Sequence, residues 1–189
     1  MTIGYKTNWP RSMGPEYAGK PNHFVEKIWK GYIDNVNTKP WERLADIAGY
    51  NEIYCEMYPE QEVIPIDDFV QKIHTMRHDA KDRWKVGMKI HPVINNRTKN
   101  RFQFAPVLEV KGIQKIDITI CSTDANGKVG SAMVWIDDKY HCCYLSNNGN
   151  HGKLTDLVKN DGFPSVHAFF AWFKTDFTGK IIHWTNLRY

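Results

Sequence analysis

No Cys-x-x-Cys pair, no apolar leader and no run near the roughly 20 apolar residues that a bilayer crossing needs occurs among the 189 residues. The first two absences point to a cytoplasmic protein whose four cysteines, Cys55, Cys121, Cys142 and Cys143, stay reduced. The third excludes a membrane-spanning helix. Neither sign of charge dominates: 25 Lys and Arg against 21 Asp and Glu leave a net +4, which permits a polyanionic partner without requiring one. No internal repeat is found, so solenoid and propeller architectures are set aside. The run His141-Cys142-Cys143 is the nearest approach to a metal-ligating cluster, but adjacent strand residues face opposite ways and no second pair has zinc spacing. The expectation is no metal and no cofactor.

What is present is enough apolar and aromatic matter for one sizeable core: 42% hydrophobic residues, with nine Tyr, nine Phe and seven Trp. The length fits a single domain over 1–189. Residues 1–21, punctuated by Asn8-Trp9-Pro10, Gly14-Pro15 and Lys20-Pro21, read as a strand or extended arm followed by loop. Asn22 caps a helix whose Phe24, Val25, Ile28, Trp29 and Tyr32 recur at helical spacing. From about 33 to 70 the period is lost and the segment reads as an insertion, with a helix from Trp41 to Tyr50 and a break at Tyr58-Pro59. Its aromatics would cover core, lid a site or meet a protein partner.

Beyond it the chain is rich in β signals. Met88–Ile94 and Phe102–Val107 flank the turn Asn95-Asn96-Arg97-Thr98-Lys99-Asn100, and Ile116, Ile118 and Ile120 alternate with Asp117 and Thr119. Ala132–Ile136 and Tyr140–Leu145 form a further hairpin, and Asn147–Gly152 a loop. A helical turn follows at Leu154–Val158, then a helix capped by Ser165 and a final strand over Lys180–Tyr189. The sum is a β-meander or partly closed barrel with flanking helices, in the α+β class.

The stretch that carries chemistry is Lys72-Ile73-His74-Thr75-Met76-Arg77, read as a loop before the turn Trp84-Lys85-Val86-Gly87. Lysine, threonine and arginine at this spacing bring three polar heads together, for catalysis or for a phosphate contact. His74 alternates with Thr75 and so faces the other way. The turn His78-Asp79 to Lys81-Asp82-Arg83 reads as a solvated one.

Taken with Phe24-x-x-x-Ile28-x-x-Gly31 and Asp161-Gly162-Phe163, the Lys72-x-x-Thr75-x-Arg77 pattern resembles an ASCH domain of the PUA-like superfamily. The departure is the 33–70 insertion, nearly absent in compact members. The resemblance implies a mixed β-barrel flanked by helices, with a cleft between the first helix and the sheet. In small bacterial relatives this cleft removes the acetyl group from N(4)-acetylcytidine. Carried over by motif, Thr75 is the nucleophile, Lys72 the base and Asp161 the acid, where those amidohydrolases have a glutamate. Arg77, His74, Lys85 and Arg97 are the candidate contacts to a nucleoside or RNA. The alternative is a non-catalytic module that reads RNA or a modified base by stacking on Trp and Tyr.

Overall fold

The computed structural model describes residues 1–36, 39–148 and 151–189. Residues 37–38 of the insertion and 149–150 of the expected Asn147–Gly152 loop therefore lie outside the described residues. The described residues fold as α+β, with four α-helices and two sheets. The five-stranded sheet has the order β2-β9-β6-β7-β8 and is antiparallel throughout. Its strands are β2 (His74–Arg77), β6 (Gly112–Thr123), β7 (Val129–Ile136), β8 (Lys139–Leu145) and β9 (Phe177–His183). In the smaller sheet β3 (Lys89–Ile94) lies parallel to β1 (Thr2–Gly4) and antiparallel to β4 (Phe102–Gln103) and β5 (Leu108–Glu109). Among the described residues the strand pairing does not close into a barrel: β2 and β8 remain edges of the larger sheet.

Helix α1 (Phe24–Val36) follows its sequence pattern. Phe24, Val25, Ile28, Trp29 and Ile33 are buried, and Tyr32 is half-buried. Each such side chain contributes about 1.5–3 kcal/mol of burial. Asn22 Oδ1 accepts the Phe24 N–H at 2.9 Å, as expected of a capping residue. Helix α2 runs over Pro40–Met57, well past the expected end at Tyr50, and stops two residues before Pro59, which has no N–H to donate. Tyr50 and Tyr54 pack inward, whereas Trp41 and Leu44 stand exposed. The insertion thus forms a helix layered on α1.

Alternation along β6 holds at Ile116 and Ile118, both buried, and fails at Ile120, beside the register shift between Ile120 and Ser122. The expected hairpin partner over Phe102–Val107 shrinks to Phe102–Gln103, because the chain leaves the ladder before Pro106, which has no N–H to give. Helices α3 (Lys153–Asn160) and α4 (Val166–Trp172) follow, and Ser165 Oγ accepts the Ala168 N–H at 3.1 Å as the N-cap. The final strand starts earlier than expected and ends at His183. No helix of the described residues is long and apolar enough to cross a membrane.

Candidate functional site

The segment expected to be a loop is instead led into the sheet. His74–Arg77 is strand β2, paired with Lys180–His183 of β9, because two backbone bridges hold its start between helices. Lys72 N–H donates to Lys27 O on α1 at 2.8 Å, and Ile73 N–H donates to Asn160 O on α3 at 2.9 Å. A Cβ at Gly31 would lie 2.2 Å from Lys72 O, so glycine is what lets α1 approach this closely.

Helix α3 delivers the partner. It ends at Asn160 with Asp161 as its C-cap, and Gly162, at φ +84°, reverses the chain with its N–H donated to Lys159 O at 2.8 Å. That turn sets the Asp161 carboxylate against the start of β2. Lys72 Nζ donates to Asp161 Oδ1 at 2.5 Å and to the Asp161 backbone oxygen, and lies 4.9 Å from the centre of the Phe24 ring. Both residues are buried, at 2% and 4% exposure.

Burial shapes the protonation of this pair. It pulls the Lys72 amine down to about 8; the Asp161 charge opposes the shift and the Arg77 cation adds to it. Burial also pushes the Asp161 carboxyl up, against Lys72, Arg77 and the Met76 N–H, which all favour the carboxylate. The same burial thus makes the lysine give up its proton more readily and the acid keep its proton longer. On the α1 side of the turn, Lys27 Nζ donates to Gly162 O at 2.8 Å, and burial together with the Lys72 charge brings its amine to about 8.

Lys72, Thr75, Arg77 and Asp161 all line one cavity of about 510 Å³. Its apolar wall comes from Tyr5, Phe24, Phe163, Trp172, Phe173 and Phe177. Two polar atoms buried at this wall have no hydrogen-bond partner among the described residues, Tyr5 Oη and Arg77 Nε. Arg77 stands with Cζ 5.2 Å from the centre of the Tyr5 ring, and burial pushes the Tyr5 hydroxyl up to about 12, so it stays a neutral donor. Buried polar groups normally find partners, and two orphans on one cavity wall mark where a ligand would supply them.

The remaining candidates lie elsewhere. His74 is completely buried, off the cavity wall, with Nε2 at 2.8 Å from Tyr189 Oη. Its Nδ1 lies 3.7 Å from Asp161 Oδ1, and burial holds the ring well below the usual histidine range, so it is neutral. Lys85 is exposed and pairs with Asp82. Arg97 is exposed in the β3–β4 turn at φ +67°. Neither reaches the cavity.

Sequence reading did not find Tyr5, which arrives from the opening arm through its N–H bond to Val93 O at 2.8 Å. It also treated the turn after Arg77 as solvated. Instead Asp79 has a fully buried side chain that accepts the Arg83 and Trp84 N–H groups, each at 3.0 Å, and faces Lys180 at 3.3 Å. The signal available for this was an aspartate four and five residues before two backbone donors in a tight turn. Among the described residues no group of three or more His, Cys, Asp or Glu could hold a metal ion, and the four cysteines are unpaired.

Comparison with protein-family models, with curated proteins and with solved structures gives no match to this chain.

Proposed function

We propose that the cavity is a nucleoside-directed site of ASCH type in which Thr75 and Lys72 hydrolyse an acyl amide such as that of N(4)-acetylcytidine. The observation that carries this reading is the convergence of Lys72, Thr75, Arg77 and Asp161 on one aromatic-walled cavity. A cavity of about 510 Å³ is in the range that encloses a small ligand, and its planar side chains suit a base. The succession of α1, Lys72, β-meander, Asp161 and α4 supports the ASCH order; a PUA-like barrel here would be an opened variant, with α2 inserted after α1.

The chemistry runs as follows. A neutral Lys72 amine keeps two N–H bonds for the two Asp161 oxygens and a lone pair for the Thr75 hydroxyl proton. Thr75 Oγ attacks the acyl carbonyl, the amide C–N bond breaks, and the proton taken by Lys72 goes to the leaving exocyclic amine. Asp161 holds Lys72 in place and carries charge in the pair. Water then attacks the acyl-threonine ester, Lys72 takes the water proton, and Thr75 recovers its hydrogen as acetate leaves. The Tyr5 hydroxyl and Arg77 Nε, both without a hydrogen-bond partner among the described residues, donate to ligand oxygens.

The test is incubation of the protein with N(4)-acetylcytidine, following cytidine by chromatography. Turnover is expected to rise with pH towards about 8 as Lys72 loses its proton, and to vanish in Thr75→Ala while the nucleoside still binds. Retained turnover in that variant refutes the nucleophile. Binding without turnover in the unaltered protein identifies a reader of modified bases instead of a hydrolase.

A further inference from the structure

A second cavity, of about 300 Å³, opens on the other side of Phe24, between the start of α1 and the end of α2. Its lining contains a carboxylate, Glu26, and no lysine or arginine among the described residues. Glu26 is 3% exposed, yet its carboxylate takes part in no hydrogen bond among the described residues. The nearest basic group, His23 Nδ1, stands 3.5 Å away and is itself a buried atom without a hydrogen-bond partner. A buried carboxylate is costly unless donors reach it, and His23 Nδ1 at 3.5 Å gives it only a long contact.

The surroundings match a cation. Tyr54 and Tyr58 line the same cavity with ring centres 5.0 Å apart and planes at 55°. Aromatic faces attract ammonium and guanidinium groups, most strongly where water is excluded. Burial raises both tyrosine hydroxyls, Tyr58 to about 12, and the Glu26 charge adds to each shift, which places the carboxylate beside these rings. Gln61, at the same wall, offers a neutral amide.

We infer that the Glu26–Tyr54–Tyr58 cavity binds a small organic cation bearing N–H donors, a primary ammonium or a guanidinium. Its N–H groups bond the Glu26 carboxylate and its charge rests against the tyrosine rings. The inference uses none of the residues of the Lys72 site and stands whether or not that site hydrolyses amides.

The experiment titrates the protein with n-butylammonium, n-butylguanidinium and n-butanol at constant ionic strength, read by calorimetry and by the NMR signals of Tyr54 and Tyr58. At least one cation is expected to bind saturably and shift those signals, with butanol much weaker. Glu26→Gln, which keeps the side-chain shape, is expected to weaken the cation at least tenfold, while Glu52→Gln on the exposed face of α2 leaves it unchanged. Tyr58→Leu, at a half-buried position, is expected to weaken it several-fold and serves if Glu26→Gln fails to fold. The inference is overturned if neither cation saturates, if butanol binds as well, or if the folded variants keep the unaltered affinity.

Discussion

Asp161→Asn removes a negative charge from one of the most enclosed places in the protein and leaves the Lys72 ammonium facing an amide. Breaking a buried pair by deleting one partner typically costs about 3–5 kcal/mol, because the remaining charge has neither water nor counter-ion. Asparagine keeps a carbonyl acceptor for the Met76 N–H, so the loss reports mainly on Lys72. The pH dependence can be worked out from the shifts. In the unaltered protein the Lys72 amine titrates at about 8 when folded and 10.5 in its ordinary state. Between those values the unfolded chain holds a proton that the folded chain has shed, so stability rises with pH across that window, by about 3 kcal/mol. Without Asp161 the support for the ammonium is gone and the folded value falls below 8. The variant therefore begins to regain stability at lower pH, and its deficit narrows from pH 6 to pH 8 and is constant above. Urea unfolding at pH 6, 7, 8 and 9 measures this directly. The double variant Lys72→Met with Asp161→Asn should recover most of the loss, since replacing both charges of a buried pair is often neutral or stabilising. A deficit below about 1 kcal/mol at pH 6, or single losses that add in the double variant, would refute the claim that the two groups stabilise each other as a buried pair.

Two further outcomes test how the site is built. Gly31→Ala gains helix propensity but puts a methyl group 2.2 Å from Lys72 O, and we expect a net loss of about 1–3 kcal/mol in denaturant unfolding, since the start of β2 must shift; unaltered stability would remove the close-approach argument. Ser165→Ala deletes the side-chain acceptor of the Ala168 N–H and should cost about 1 kcal/mol by the same assay, while Ser165→Gly costs only a few tenths.

Local chemistry made much of this protein legible. The stripe of α1, the caps Asn22 and Ser165, and the alternation at Ile116 and Ile118 each depend on neighbours within a few residues. The spacing of Lys72, Thr75 and Arg77 also survived into space, because a short strand keeps its residues together whether or not it was read as a loop. Errors arose where distant chain segments decide. His74–Arg77 has no strong strand signal and becomes β2 because α1 and α3 hold the backbone just before it and β9 offers it an edge. Arg97 and Lys85 look like ligand contacts by charge alone, but stand on turns that the fold carries away from the cavity.

The sequence by itself determined the α+β class, the capped starts of α1 and α4 and the residue types of the candidate site. These follow from periodicity, capping and backbone permissiveness, which act over one or two turns of chain. The tertiary structure decided which of those residues meet. The Lys72 and Asp161 side chains, 89 positions apart, touch because α1 and α3 both hydrogen-bond the backbone at the start of β2. Burial at that junction then sets their protonation. Pairing across such a separation is fixed by packing and by the sealing off of water, and neither quantity is written in any single stretch of residues.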